Sequence, residues 1–292
     1  MYNLFMHRFL LNIALFFFLS ITFALGVEMD WTKAYCAKYE ECREARWTDL
    51  KQALFEDIDL KNGEGVIELT TPERAPDGAF VPISFKTHKL KDQEDIISKI
   101  HLVIDMNPVP YSGTFKFATD IDQIELATRI RLDAYSKVRV IAETKKGDYF
   151  MAANFVRGSG GCSAPPLGDV DNMLANAGKM KMKVKNIGEE SGIAEAKIMI
   201  SHPQFNGLQM NPATTEMISA YYVENIEVTY NDNIVMALES DISISQDPTF
   251  RFNFPIGDGG NLKITAKDTD GNIYSHSKKF VLQDNQLKIA SQ

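Results

Sequence analysis

The sequence has few of the residues that usually mark a catalytic or metal centre. Among 292 residues there are three cysteines, five histidines and two tryptophans. No Cys-x-x-Cys-His motif for haem attachment occurs, and the histidines are not spaced as metal ligands or as part of a Ser-His-Asp triad. We therefore predict no catalytic residue, no metal ligand and no cofactor, and we do not expect an enzyme.

An excess of positive charge is also missing. The formal net charge is −8 at pH 7. Lysine and arginine are nowhere dense enough to follow a phosphate backbone. Nucleic acid is therefore not an expected partner.

The N-terminus carries the longest apolar run of the chain. Residues 9–24 are mostly apolar and follow the weakly basic pair His7 and Arg8. This pattern predicts a secretory signal peptide over residues 1–26, with export to the periplasm and no membrane attachment after cleavage. A single-span anchor is the alternative, although the run is shorter than the ~20 apolar residues that a spanning helix needs.

Residues 27–58 form a predicted helical segment. Residues 30–57 lack glycine and proline and are rich in good helix formers. Thr48, followed by Asp49, is expected to cap a separate helix.

The three cysteines cannot all pair in an oxidising compartment. Cys36 and Cys42 are close in sequence and far from Cys162, so the simplest arrangement joins the first two and leaves Cys162 free. One continuous helix would place Cys36 and Cys42 about 9 Å apart along its axis, beyond disulfide reach. The pairing therefore requires a break between them. Two reduced cysteines or a metal-binding pair remain alternatives.

The rest of the sequence is typical of a mainly β protein. Short runs rich in β-branched and aromatic residues alternate with turn residues, about seven runs in each half. Two immunoglobulin-like β-sandwich domains are therefore expected after the helical segment. Along 125–133, Leu126 starts a buried face, whereas Arg131 belongs to the mainly outward-facing set. The predicted boundaries are 59–157 for the first sandwich, 158–178 for a flexible arm and linker, 179–283 for the second sandwich and 284–292 for a C-terminal tail.

One thiol stands in a stretch with almost no side chains. The sequence RGSGGCSAPP places Gly158, Gly160 and Gly161 before Cys162, and Ser163 after it. Glycine adopts both halves of the φ range, so this stretch predicts a flexible arm rather than helix or strand. Five residues on either side could extend roughly 15 Å at about 3.3 Å per residue. We interpret Cys162 as an attachment point presented to other proteins.

Several short motifs carry a family resemblance. Residues 160–162 (GGC), with 81–83 (VPI), 107–108 (NP) and 128–131 (TRIR), are similar to the SoxY half of the SoxYZ family of periplasmic sulfur-compound carriers. Residues 200–207 (ISHPQFNG) resemble the ISHPMETG signature of the SoxZ half. The order of the halves is similar to fused SoxYZ-like carriers associated with quinoprotein dehydrogenases.

The resemblance covers roughly residues 45–282 and implies a function. In the SoxY family the arm cysteine carries an inorganic sulfur species covalently during thiosulfate oxidation, which assigns that role to Cys162. It also implies periplasmic oxidoreductases or sulfur-oxidising enzymes as partners, including a quinoprotein dehydrogenase system. Two features depart from the family: the arm is internal rather than C-terminal, and Ser163 and Ala164 replace two glycines.

Two other functions remain open on the sequence alone. A thiol redox protein would exchange disulfides through Cys162 and the N-terminal cysteine pair. A non-covalent adaptor would dock two immunoglobulin-like modules onto a dehydrogenase, with the cysteine incidental. His202, within the SoxZ-like signature, is expected to be structural because it precedes a proline at the end of a strand.

Overall fold

The fold is known from a computed structural model, which describes residues 31–92, 94–117, 123–186, 192–257, 259–283 and 286–289. The predicted signal peptide lies outside the described residues. Within the described part of the chain, every helix is too short or too polar to cross a membrane.

Two short helices open the described chain. Helix α1 spans Trp31–Lys38 and helix α2 spans Glu40–Phe55. Tyr39 separates them in an extended conformation, with φ −112° and ψ 128°. At this break the structure joins Cys36 to Cys42 in a disulfide with a Cα–Cα distance of 4.9 Å.

The expected helix start at Thr48 is wrong. Thr48 lies inside α2, and its hydroxyl donates to the backbone carbonyl of Glu44 at 2.9 Å. A threonine that bonds to the carbonyl four residues earlier can stay within a helix, and good helix formers such as Arg46 and Leu50 lie on both sides of it. The helix therefore begins at Glu40, directly after the break.

The remainder of the chain is mainly β, as the sequence predicts. The first half contributes eight strands: β1 Leu60–Asn62, β2 Ile67–Thr70, β3 Val81–Thr87, β4 Ile97–Ile104, β5 Tyr111–Phe117, β6 Glu125–Ile130, β7 Ser136–Thr144 and β8 Tyr149–Val156. The second half contributes eight more: β9 Met180–Asn186, β10 Ile193–Ile200, β11 Val223–Tyr230, β12 Asn233–Ser240, β13 Thr249–Pro255, β14 Gly259–Asp268, β15 Ile273–Gln283 and β16 Gln286–Ile289.

The strands form two sheets that run through both halves. The larger sheet has the order β1-β8-β7-β4-β5-β12-β11-β14-β15-β16, and the smaller has the order β2-β3-β6-β13-β10-β9. In the larger sheet β5 pairs antiparallel with β12, and in the smaller sheet β6 pairs antiparallel with β13. Each sheet therefore crosses the boundary between the halves by main-chain hydrogen bonds.

The two sheets pack face to face around one core. The rings of Phe85 in the smaller sheet and Phe115 in the larger lie 5.5 Å apart, edge to face. Phe250, from the second half, contacts the same Phe115 ring at 6.5 Å. On the outer face of the larger sheet, Trp47 of α2 packs near Val103.

Three elements lie where no helix or strand was expected. Helix α3, Val170–Ala175, forms inside the predicted linker, and the Asp169 side chain caps it by accepting from the backbone N–H of Asn172 at 2.8 Å. Strand β1 is three residues long and pairs with β8 in parallel. Strand β16 adds to β15 within the predicted C-terminal tail. All three are short and therefore leave little trace in a local pattern, and β1 also depends on pairing with the distant strand β8.

Candidate functional site

Cys162 lies in a turn that follows β8, and its side chain is completely buried, with 0% exposed. The sequence predicted a flexible arm, and the structure shows one conformation of it, in which Gly158, Gly161 and Cys162 are buried and Ser159 and Gly160 are exposed. The physical reason lies in what surrounds the glycines.

The glycines permit close approach of two backbone segments. A Cβ added to Gly161 would lie 2.0 Å from the backbone oxygen of Gly78, and one added to Gly158 would lie 3.0 Å from the Cβ of Ala75. Gly160 has φ +74°, which a side chain would strain. These glycines therefore fit the stretch into a narrow space. Ser163, just after the cysteine, is exposed.

Backbone hydrogen bonds fix the stretch to the loop after β6. The N–H of Gly160 donates to the carbonyl of Asp133 at 2.9 Å, and that of Gly161 donates to Leu132 at 2.9 Å. Leu132 in turn donates to the carbonyl of Gly78 at 2.7 Å. The segment is therefore held on the side of the first half by main-chain pairing.

Side chains of the second half hold the carbonyls of the same stretch. Asn206 Nδ2 donates to the carbonyl of Cys162 at 2.7 Å, and Gln209 Nε2 donates to that of Ala164 at 2.9 Å. Farther along, Gln246 Oε1 accepts from the backbone N–H of Leu167 at 3.2 Å. We call the two contacts from Asn206 and Gln209 to the cysteine stretch, residues 157–166, the latch.

The SoxZ-like signature, residues 200–207, supplies part of the latch. Gln204 has φ +51°, and its Oε1 accepts from the backbone N–H of Val223 at 2.7 Å, which shapes the loop. This loop brings Asn206 against Cys162 although the two residues are 44 positions apart. Sequence reasoning recognised the signature, but did not place it against the thiol.

His202 is buried within the second half. Its Nδ1 accepts from the backbone N–H of Gln204 at 3.2 Å, and its ring centroid lies 4.5 Å from that of Tyr221. Burial lowers its pKa to about 4, against the opposing charge of Asp268, whose Oδ2 lies 3.7 Å from Nε2. The imidazole is therefore neutral near pH 7 and packed among side chains.

The electrostatics keep Cys162 protonated. Burial raises the pKa of its thiol to about 12; the charge of Asp133 acts in the same direction, and those of Arg131 and Lys33 act against it. Lys33, on α1, forms an ion pair with Asp133. Only the thiolate is a good nucleophile, so the buried sulfur is unreactive near pH 7.

Arg131 is the site residue that the sequence pattern misplaced. It was assigned to an outward-facing set, but it is only 2% exposed. Strand β6 ends at Ile130, so the strand alternation no longer applies at position 131. Its Nη1 donates to the carbonyl of Gly161 at 3.0 Å, directly before the cysteine. The sequence feature that could have indicated a role for Arg131 at the site is the resemblance of residues 128–131 to the SoxY half.

The described residues include all three cysteines, and Cys162 is the free one. Cys36 packs with Met106 and Ala134, in the loop that also contains Asp133. The disulfide therefore fixes α1 beside the segment that binds the cysteine stretch. Within the described ranges, no three His, Cys, Asp or Glu side chains cluster as a metal site would require.

Family models match both halves of the chain. The model of sulfur oxidation protein SoxY matches residues 51–162, ending at the buried cysteine, and that of sulphur oxidation protein SoxZ matches residues 181–279. The fold is a β-sandwich, and the two matches place the chain in the class of sulfur-oxidation proteins. The chain belongs to the SoxY and SoxZ families, joined in tandem in one polypeptide.

Other comparisons add little. The sulfur carrier protein SoxY from Chlorobium limicola f thiosulfatophilum is 20% identical, over 44% of this chain and 99% of that one, with a TM-score of 0.34. A β-glycosidase from Bacteroides vulgatus is 9% identical, over 73% of this chain and 24% of that one, with a TM-score of 0.22. No curated protein matches the chain. Both structural likenesses are too weak to support an inference about function.

Proposed function

We propose that the protein is a periplasmic carrier that holds an inorganic sulfur species covalently on Cys162 and offers it to separate enzymes. The observation that carries this proposal is the position of the free thiol. It lies at the end of the SoxY match, and side chains from the SoxZ match donate to the backbone carbonyls of Cys162 and Ala164. Both family halves therefore meet at the stretch that carries the sulfur.

Loading the carrier is an oxidation. The thiol of Cys162 and the S–H of a sulfur substrate lose two protons and two electrons as an S–S bond forms between them. The electrons pass to a partner oxidoreductase. Other enzymes then oxidise the bound group, and hydrolysis breaks its S–S bond, so that the group leaves with the oxygen of water and the cysteine sulfur regains a proton. The chain itself supplies the sulfur atom and the fold that buries it, and the partner enzymes catalyse the reactions.

The buried state adds a step to this cycle. A protonated thiol with no exposed surface can react only after the latch opens. Between reactions, the closed latch protects the sulfur from the oxidants of the periplasm. We propose that partner enzymes act on the open form, and that a quinoprotein dehydrogenase system is among the settings in which the carrier works.

The test is the mass of the protein taken from its native compartment. We expect mature protein to carry adducts of inorganic sulfur species that are absent from a Cys162→Ser variant with an unchanged fold. Persistence of the same adducts in the variant would refute Cys162 as the attachment point. Mild reductant should remove the adducts and leave the Cys36–Cys42 bond, whereas a thiol redox protein would show exchange between Cys162 and that pair.

A further inference from the structure

The buried residue beside the thiol that has no carboxylate in direct contact is Arg131; the charge of Asp77 acts on it only from a longer distance. Two arginines of the described chain are equally buried, each 2% exposed. Arg139 forms a bidentate pair with the carboxylate of Asp105, with Nη2 to Oδ2 at 2.9 Å. Arg131 has no carboxylate within 4.0 Å among the described residues. A buried charge without a partner is costly, so its retention requires an explanation.

The hydrogen bonds of Arg131 do not explain why a positive charge is buried at this position. Its Nη1 donates to the carbonyl of Gly161 at 3.0 Å, and its Nη2 donates to that of Gln204 at 3.3 Å. Both acceptors are neutral. Its Nε has no acceptor, and neither has the side-chain Nε2 of Gln204, which is itself 1% exposed. Arg131 and Gln204, which are hydrogen-bonded to each other, thus each keep one buried donor without an acceptor.

We propose that Arg131 selects a small anionic group bonded to Cys162, such as a sulfonate or a persulfide sulfur. A guanidinium binds the oxygens of a sulfonate through parallel N–H donors, and its positive charge also stabilises a persulfide anion. The charge that Arg131 lacks in the unloaded protein would then arrive with the cargo. This inference rests on the proposed carrier function and adds the residue that recognises the charge of the cargo.

Synthetic reagents of opposite charge test the inference without the natural cargo. The sulfonatoethyl and trimethylammonioethyl methanethiosulfonates differ mainly in charge. In each reaction the Cys162 thiolate attacks the reagent's sulfenyl sulfur, a mixed disulfide forms, and methanesulfinate leaves with the electron pair of the broken S–S bond. The thiol proton passes to the buffer. The intact mass of the protein, followed over time, gives the rate of modification by each reagent. The same two reagents are reacted with a small free thiol, and the ratio of those two rates is the reference.

The rate with the anionic reagent is divided by the rate with the cationic reagent, and this ratio is divided by the same ratio for the small thiol. For wild type we expect a value of about ten, as for one charge-assisted hydrogen bond. Arg131→Gln should bring the ratio to that of the small thiol, and Arg131→Lys should retain part of the preference. The matched control is Arg129→Gln, two residues earlier, which changes the net charge equally. The side chain of Arg129 donates to the backbone carbonyl of Asp247 at 3.0 Å, away from the cysteine stretch. Equal ratios in wild type and Arg131→Gln would overturn the proposal.

A second measurement needs no variant. Wild-type protein carrying either adduct is treated with dithiothreitol, and the rates of release are compared with those from small-thiol adducts. The sulfonate adduct should be released about tenfold more slowly than the ammonium adduct, because pairing with Arg131 holds it in the closed site. Equal release rates would contradict the inference. Neither result depends on which adduct occurs in the cell, so the proposed function stands or fails separately.

Discussion

The latch can be tested at Asn206, whose side chain donates to the carbonyl of Cys162 at 2.7 Å. Asn206→Ala removes this donor and leaves a buried carbonyl unsatisfied in the closed form only. The open form exposes that carbonyl to water and is not affected. One such loss destabilises the closed form by about 1.5 kcal/mol, which corresponds to roughly a tenfold increase in the population of the open form.

The assay is alkylation of Cys162 by iodoacetamide, followed by intact mass at pH 8. Because the closed thiol is buried and protonated, the rate measures the open population times the intrinsic reactivity of the thiol. We expect Asn206→Ala to react about tenfold faster than wild type. The free energy of unfolding, measured with urea, must stay high enough that global unfolding does not supply the exposed thiol.

The matched control is Asn211→Ala, in the same loop. Asn211 accepts from the backbone N–H of Ala213 at 2.9 Å and is not part of the latch. It should leave the alkylation rate within about twofold of wild type, as for a surface substitution. If Asn206→Ala and Asn211→Ala react equally fast, the latch does not control access to the thiol.

Three further outcomes are expected. The raised pKa of Cys162 means that the closed form binds the proton more tightly than the open form, so its stability is complete below the ordinary value of 9.0 and is lost as the pH rises toward about 12. The alkylation rate should therefore keep rising above pH 9, where that of an exposed thiol levels off. Gly161→Ala would place a Cβ 2.0 Å from the backbone oxygen of Gly78, so the thiol should react at nearly the rate of a small thiol. Replacing Cys36 and Cys42 by serine should lower the free energy of unfolding by about 2 kcal/mol, read as a thermal midpoint lower by about 5 °C.

Each outcome has a contrary result. A rate that levels off near pH 9 would mean that the thiol is exposed in solution. Slow alkylation of Gly161→Ala would mean that the close contact with Gly78 does not hold the stretch in place. An unchanged thermal midpoint without the disulfide would mean that α1 is not restrained by it.

The strands were predictable because their signals are local. In β6 the buried positions Leu126, Thr128 and Ile130 alternate with the more exposed positions, as the sequence pattern indicates. Turn residues such as Gly271, at φ +84°, mark where strands end. Consequently, the predicted strands of both halves lie close to those observed.

The closed state of the site was not predictable in the same way. Glycine serves flexibility and close packing equally well, and the sequence around Cys162 does not distinguish them. The distinction depends on Gly78 and Asn206, which are far away in sequence and reach the cysteine only through the fold. The pattern also extended strand alternation beyond Ile130, the last residue of β6, which placed Arg131 on the surface. Long-range contacts and strand ends were thus the points at which local reasoning failed.

Joining the two halves in one chain has a physical consequence for the thiol. The donors of the latch belong to the second half, and its position is fixed by the pairing of β5 with β12 and of β6 with β13. Because the halves are covalently joined, closing the latch is an intramolecular step that does not depend on protein concentration.

The internal position of the cysteine limits how far it can move. The stretch is anchored at Arg157, which accepts from the backbone N–H of Ala75 at 2.9 Å, and again at Leu167, which bonds to Gln246. A loop held at both ends cannot swing as a free terminus would. With five residues on each side of Cys162 at about 3.3 Å each, the sulfur can rise at most about 16 Å from its anchors. A partner enzyme must therefore bring its active site to within that distance of the closed surface and release the latch as it docks.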